Sequence, residues 1–567
     1  MLAGSSLLSV KGFSHTTTHV TPPSTNAGVL DRTIEKEYEA KPLPPKREIP
    51  LLEVDIPDHQ LDFGNHRSVF IEQIEIEGNH SITSEKLQDL ISSYEDRALS
   101  MQDIRNLCIE IRTYYVERGY FLARAYPPIQ DIKGKTLKIE VMEGSLGKIT
   151  VSGNRYYSEK FIRSYFTKYI GKPLNYDDFL RSLMLVNENA DLLVGAVFEK
   201  GSAYGTADVI LKVNDHRPVH AYFNTNDYGS HFTTAQRTGV RLDYGNFITD
   251  GDTFSIAEVV GSPIRSLWFT DVRYDFPITR SGWSGELSYM YTHLRVKHAE
   301  YHDFDHLHLK SSAEIAGARV TYAIQRSRRV SVDIYTSFEY KQIKDIALGH
   351  TTSDDRLRVL GLGTDFGFND GWYGNNFIDF AFYQGIPDFL GGMSSVSKHS
   401  SRKGAGGRYS ILNLDYKRMQ QFADFYFLIN FSGQYSFNKL PIPEQFYIGG
   451  MDTVRGYPLA SALGDSGYYT NWELRIPPPF KNYNFFGTKR KWKEILQFVL
   501  FVDAGGVQLR SKEYPLAKGY VGMVSTGAGV RIYGPYHFDV SIDLGVPLNE
   551  RRRNADSIWY WKVNWGI

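Results

Sequence analysis

From about residue 218 to its last residue the chain alternates apolar and polar side chains with a period of two. Phe425, Phe427, Ile429, Phe431 and Tyr435 share one face against Asn430, Ser432, Gln434 and Ser436. Val332, Ile334, Phe338 and Tyr340 alternate with Asp333, Tyr335, Ser337 and Glu339, and Phe538, Val540, Ile542, Leu544 and Val546 oppose Asp539, Ser541 and Asp543. The chain ends on Trp559, Trp561, Val563, Trp565 and Ile567, set against Lys562 and Asn564. Such a period places successive side chains on opposite faces of a strand. A soluble sandwich also has one apolar face. Here that face is large and aromatic, the other is polar or charged, and the alternation ties the final residue into a sheet. Lipid outside and water inside demand this division. Closure follows, because an open edge in lipid leaves backbone groups unpaired. Residues 218–567 are therefore expected to form an all-β transmembrane antiparallel barrel. At about 10 residues per strand, roughly 14 to 18 strands fit, with about 16 expected.

Composition agrees. With 567 residues, two or more units are expected. Formal charge is zero, with 64 basic and 64 acidic residues, which offers no basic face for nucleic acid. Aromatic residues make up 14% and charged residues 23%. No apolar run of about 18 residues exists, which excludes an ordinary transmembrane helix. The single cysteine, Cys108, rules out an intramolecular disulfide or a thiolate metal cluster, and beside Leu107 and Ile111 it reads as a buried structural thiol.

Residues 1–68 read as a leader, a helix and a linker. Leu7-Leu8 is a short apolar patch with no basic region before it, a poor match to a signal peptide; an exported barrel needs one, so the expectation is a truncated or mis-assigned start. Leu30–Ala40 reads as a short polar helix capped by Asp31. Pro42, Pro44, Pro45, Pro50 and Pro57 mark an extended linker. An internal repeat follows. Ile74-Glu75-Ile76-Glu77-Gly78-Asn79 is echoed by Ile149-Thr150-Val151-Ser152-Gly153-Asn154. After each turn, Ser-Glu-Lys and an apolar residue open a helix, at Ser84–Leu87 and Ser158–Phe161. A second helix carries matched capping signals, Ser100 with Asp103 and Asn175 with Asp178. Two strands close each copy: 121–126 and 136–143, then 194–200 and 206–214. The unit is β-α-α-β-β, present twice, at 69–144 and 145–217.

These repeats resemble polypeptide-transport-associated (POTRA) domains. Gly119–Ile132, followed by Leu137–Gly144, is similar to the first such domain of two-partner secretion transporters, the haemolysin and filamentous-haemagglutinin exporters called TpsB. The helix with a proline-rich linker also resembles that family, in which it plugs the barrel. Val454-Arg455-Gly456-Tyr457 matches the family's motif at the tip of a loop folded into the barrel. Phe501-Val502-Asp503-Ala504-Gly505 matches the strand motif whose carboxylate meets that arginine. A guanidinium in a wet lumen needs an acceptor, and an inward carboxylate can take its fork in two parallel bonds. Arg455 and Asp503 would then latch the loop, with Phe501 and Gly505 on the acceptor strand. The family differs at the end of the chain: its barrels usually finish on an aromatic residue, whereas this one ends on Ile567.

The resemblance implies export of a large secreted partner protein through the outer membrane of a Gram-negative-type bacterium, with the repeats periplasmic, outer-membrane lipid around the barrel, and no nucleic acid, nucleotide or cofactor. Extended client segments would add as strands to repeat edges. No Walker-type loop is present, so energy would come from client folding on the far side. The alternative is an assembly or insertion factor of the same superfamily, and a passive porin is a third reading. Two repeats and the N-terminal helix argue against the alternative, and residues 69–217 against a porin. Gly464-Asp465-Ser466-Gly467 resembles a serine-protease motif, but lacks the His and Asp context of catalysis. His298, His302, His306 and His308, with Asp303 and Asp305, read as a polar external loop rather than a metal site. No enzymatic activity is expected.

Overall fold

The computed structural model describes residues 23–39, 52–55 and 68–567, apart from 131, 133, 231, 297–307, 487, 511–518, 536 and 550–556. The expected leader, the linker prolines and the histidine cluster except His308 lie outside the described residues.

Helix α1 spans Ala27–Glu39 and strand β1 Leu52–Asp55. The helix starts earlier than its sequence suggests. Asn26, not Asp31, caps it: Asn26 Oδ1 accepts from Gly28 N at 3.0 Å and Val29 N at 3.3 Å. Asp31 sits inside the helix and is fully buried.

The first repeat comprises β2 (Val69–Ile71), β3 (Gln73–Glu77), α2 (Ser84–Ile91), β4 (Arg97–Leu99), α3 (Met101–Glu117), β5 (Arg124–Tyr126) and β6 (Thr136–Met142). The second comprises β7 (Ser145–Ser152), α4 (Glu159–Ser164), α5 (Tyr176–Val186), β8 (Leu192–Lys200) and β9 (Thr206–Asp215). In each, the first and last strands pair in parallel and the middle strand runs antiparallel beside the last, in the orders β3-β6-β5 and β7-β9-β8. The small β2–β4 pair is an addition that the alternation did not signal.

The Gly-Asn turns explain why both copies fold alike. Gly78 and Gly153 have φ of 82° and 96°. A Cβ there would lie 2.3 Å from Val141 O and 2.4 Å from Val213 O, equivalent points on the last strands. Asn79 and Asn154 each donate from Nδ2 at 2.9 Å to a carbonyl three residues on. Ser100 and Asp103 form a reciprocal capping box on α3. The second copy departs from this: Asn175 accepts from Asp177 N at 3.0 Å, and Asp178 takes no part in the cap. Asn175 instead spends its Nδ2 on Arg118 O, which ties the two repeats together. The apolar stripe of α3, including Cys108, packs under β3 and β6, and burial pushes the Cys108 thiol up to about 12. That makes it an inert core group.

The barrel strands are β10 (Val219–Asn226), β11 (Arg237–Gly245), β12 (Thr253–Gly261), β13 (Leu267–Pro277), β14 (Trp283–Arg295), β15 (Lys310–Arg326), β16 (Val330–Ala347) and β17 (His350–Asn369). They continue with β18 (Gly374–Gly385), β19 (Tyr409–Phe422) and β20 (Phe425–Ser436). A small hairpin of β21 (Phe446–Ile448) and β22 (Ala462–Gly464) interrupts them. The wall resumes with β23 (Ser466–Ile476), β24 (Leu496–Gln508), β25 (Tyr520–Tyr533), β26 (Asp539–Pro547) and β27 (Ile558–Gly566). Sixteen strands, β10–β20 and β23–β27, close into one antiparallel barrel. The seam is β10 on β27, and Ile567 exchanges backbone hydrogen bonds with Ala221 at 2.9 and 3.1 Å, so the last residue is part of the wall. Strands β16 and β17, with 18 and 20 residues, run well beyond the length needed to cross a membrane. The outward set keeps its apolar character: Ile334, Phe377, Leu500, Val502 and Trp559 are exposed on the wall.

The second repeat packs under one end of the barrel, the proximal end. Arg181 donates to Ser281 O at 2.9 Å, Asn246 Nδ2 to Tyr156 O at 3.3 Å, and Arg326 pairs with Glu188. Beyond it, β1 pairs in parallel with β8. The expectation that repeat edges stand open therefore fails at β8, whose free edge this chain already fills. Helix α1 does not lie outside. It occupies the lumen, with Leu30 and Ile34 packed among Leu267, Phe269, Met290 and Leu294.

Candidate functional site in the barrel lumen

Between β20 and β23 the chain turns back into the barrel, and the β21–β22 hairpin carries the tip 449–461 deep into the lumen. A paired hairpin is the local reason: Phe446, Tyr447 and Ile448 face Gly464, Leu463 and Ala462, so the intervening residues must form a closed tip. Gly449 and Gly450, both at φ of 103°, turn the tip over against Pro458, Leu459 and Ser461.

Arg455 projects from that tip and is 3% exposed. Its Nε donates to Asp503 Oδ2 at 2.7 Å and its Nη2 to Oδ1 at 2.9 Å, a two-pronged pair, while its backbone N–H adds a third bond to Oδ2 at 3.1 Å. The guanidinium carbon stands 3.4 Å from the Phe501 ring centroid, so the cation lies over a π face as well. Asp503 is fully buried on the inward face of β24. Val454 packs with Phe446, Tyr457, Tyr469 and Val507. Gly505 makes room for it, since a Cβ at 505 would meet Val454 Cγ2 at 3.0 Å. Gly456 N donates to Tyr560 OH at 3.1 Å, and Tyr560 OH donates to Tyr457 O at 3.1 Å. Tyr457 OH reaches Val524 O at 3.0 Å and also bonds Asn549. The seven residues singled out in the two motifs thus meet in one place, and they touch β24, β25, β26 and β27 together.

Sequence reasoning missed the rest of the charge network. Arg455 Nη1 also donates to Glu473 at 3.2 Å. Glu473 pairs with Arg475 at 2.7 Å and Arg531 at 3.6 Å, and Arg531 with Asp543 at 2.9 Å. Three guanidinium groups therefore face three carboxylates, which keeps a nearly dry cluster neutral. The signal was in the alternation: Glu473 and Arg475 fall on the inward face of β23, in register with β24. Gly456 is poorly able to accept a side chain. Its φ is +86°, and a Cβ would lie 3.0 Å from the Gly545 carbonyl carbon. Gly456→Ala is expected to cost about 1–2 kcal/mol, a five- to thirtyfold shift toward an undocked tip. Limited proteolysis at Arg455 in detergent-solubilised barrels reads this out; an unchanged cleavage rate contradicts it.

The plug helix makes its own polar contacts. Asp31 bonds Thr292, Ala27 N donates to Ser311 Oγ at 2.8 Å, and Asn26 Nδ2 donates to Asp345 at 3.0 Å. Arg32 donates to Gln445 O at 2.7 Å, joining the helix to the base of the hairpin. Its polar character in sequence reflects a polar lumen wall, not exposure to bulk water. Gly464–Gly467 is structural: Asp465 pairs with Arg402 and accepts from Leu440 N at 2.8 Å and Arg510 N at 2.7 Å, while Ser466 Oγ accepts from Ser436 N at 3.0 Å. His308 is exposed, and among the described residues no group of three or more His, Cys, Asp or Glu is placed to hold a metal.

Residues 205–532 match the family of haemolysin secretion/activation proteins ShlB/FhaC/HecB, and residues 69–144 the ShlB-type POTRA domain. The heme/hemopexin transporter protein HuxB of Haemophilus influenzae is 22% identical over 498 residues, covering 86% of this chain and 85% of that protein. The hemolysin transporter protein ShlB of Serratia marcescens is 23% identical, covering 67% of each. The solved structure of CdiB from Escherichia coli superposes with a TM-score of 0.76 at 16% identity, over 97% of this chain and all of that one. BamA from Haemophilus ducreyi, lacking POTRA domains 1–3, superposes less well, at 0.50. The chain belongs to the haemolysin secretion/activation family, the POTRA-bearing outer-membrane barrel transporters of two-partner secretion.

Proposed function

We propose that this chain exports one large, unfolded partner exoprotein, with the POTRA repeats in the periplasm and the Arg455–Asp503 pair acting as a loop latch. A lumen filled at once by α1 and by the β21–β22 hairpin carries the reading. A diffusion porin gains nothing from an occupied lumen, whereas a secretion barrel needs a seal that its client can displace. The helix is the removable part, since each of its hydrogen bonds to the wall described above, from Ala27 N to Ser311, Asn26 to Asp345 and Asp31 to Thr292, uses a side chain on at least one side. The latched hairpin stays and keeps the cluster at β23–β27 in register. Incoming client segments use the remaining repeat edges, including β5, where backbone hydrogen bonds make few demands on side chains. Lipid surrounds the aromatic outer wall. Nucleotide and nucleic acid play no part, and the work comes from client folding outside. The latch performs no chemistry.

The test is genetic and biochemical. A reading frame for a very large secreted protein is expected beside this one, and its product should reach the medium only when this chain is present. General loss of outer-membrane proteins on depletion, with no such client, would support the assembly alternative instead.

A further inference from the structure

Neighbouring barrel strands are antiparallel, so the turns 246–252, 278–282, 327–329, 370–373, 423–424, 477–495 and 534–538 all lie at the proximal end. Six are short, as expected there. The turn 477–495 is not, and its composition is unusual: Phe480, Tyr483, Phe485, Phe486 and Trp492 are interleaved with Lys481, Lys489, Arg490, Lys491 and Lys493. The rings build one cluster, with Phe485 and Phe480 at 4.8 and 4.9 Å from Trp492 and Phe486 at 5.6 Å. Yet Tyr483 and Phe486 remain 73% and 81% exposed. Asp424 on the next turn pairs with both Lys481 and Lys493, at 2.7 and 3.0 Å. Among the described residues, Lys489, Arg490 and Lys491 have no carboxylate partner.

We infer that this turn is a binding site for anionic phospholipid headgroups at the proximal face of the membrane. Two features select lipid over a client chain. The turn hangs below the outer wall, where Phe422, Phe425 and Phe498 are exposed at the proximal ends of β19, β20 and β24, whereas a client runs through the lumen. And exposed aromatic rings beside unpaired cations match a surface that is apolar within and negative at its rim. Tyr and Trp settle at that interface. Each cation near an anionic leaflet gives about a fivefold gain in partitioning, so three give roughly a hundredfold. The inference rests on the membrane placement of the barrel, and not on export.

The test uses the full chain in nanodiscs of phosphatidylcholine alone or mixed with phosphatidylglycerol. A fluorophore is attached at Phe486→Cys, since the buried Cys108 thiol leaves the new one to react. Quenching by headgroup-spin-labelled lipid should be several-fold stronger with phosphatidylglycerol. K489Q/R490Q/K491Q should remove that gain, and inorganic phosphate should not. A label at Leu500→Cys, on the outer wall, reports membrane placement. If it is quenched and the 486 label is not, this inference is overturned and the barrel stands. If neither is quenched, the membrane placement falls and the inference with it. Quenching equal in both discs, displacement by inorganic phosphate, or a 486 label shielded only during export overturns it as well, the last by assigning the turn to the client.

Discussion

An Arg455→Ala chain is expected to insert as a folded, heat-modifiable barrel and to export less than a tenth of the parent's exoprotein. The substitution removes both prongs of the pair and leaves Asp503, fully buried, with the Arg455 backbone N–H in place of a cation. Breaking a buried ion pair from one side costs about 3–5 kcal/mol. The barrel can absorb this because its sixteen-strand ladder contains none of the lost bonds. The tip cannot, and it leaves its place against β24 to β27. Arg455→Lys should fall between, since an ammonium restores charge without the fork. Secreted protein in the medium, measured against barrel migration with and without heating, checks both variants. Parental export from the alanine variant would sink the latch.

A second large effect is expected from the plug. Leu30 and Ile34 are fully buried against the wall, and truncating each to alanine costs about 2–5 kcal/mol. The Leu30→Ala/Ile34→Ala chain should therefore hold α1 in the lumen much more weakly. In planar bilayers its openings should be at least about tenfold more frequent than the parent's, the smaller end of that energy range being already a factor near thirty. Unchanged conductance would mean that the hairpin, and not the helix, closes the passage. The two variants differ in kind: one loosens the part proposed to stay, the other the part proposed to leave.

The barrel and the repeats were legible because both write their structure at short range. Alternation needs only neighbours i and i+2, and it showed at Phe425–Ser436 and at Trp559–Ile567. The duplicated Gly-Asn turn fixed the repeat, because φ near +90° with a carbonyl under the absent Cβ excludes other residues. Helix α1 was legible as a short polar helix, but its cap is Asn26 and not Asp31, and its place in the lumen was not readable from its residues, since its surroundings are set by strands more than 230 residues away, as in Asp31 with Thr292. Two members of the lumen network, Arg455 and Asp503, were readable from motifs. Glu473, Arg475, Arg531 and Asp543 were not, because their pairing depends on which strands stand side by side at which height. Strand β1 was invisible for a similar reason: Leu52–Asp55 becomes a strand only because β8 offers an edge.

That last pairing sets a leash. Helix α1 ends at Glu39 and β1 begins at Leu52, so the residues 40–51 between them can span at most about 40 Å when fully drawn out. With β1 held on β8, a displaced helix has a bounded stroke and a short search home. Closing again after a client has passed is then an intramolecular encounter, independent of how much protein the membrane holds.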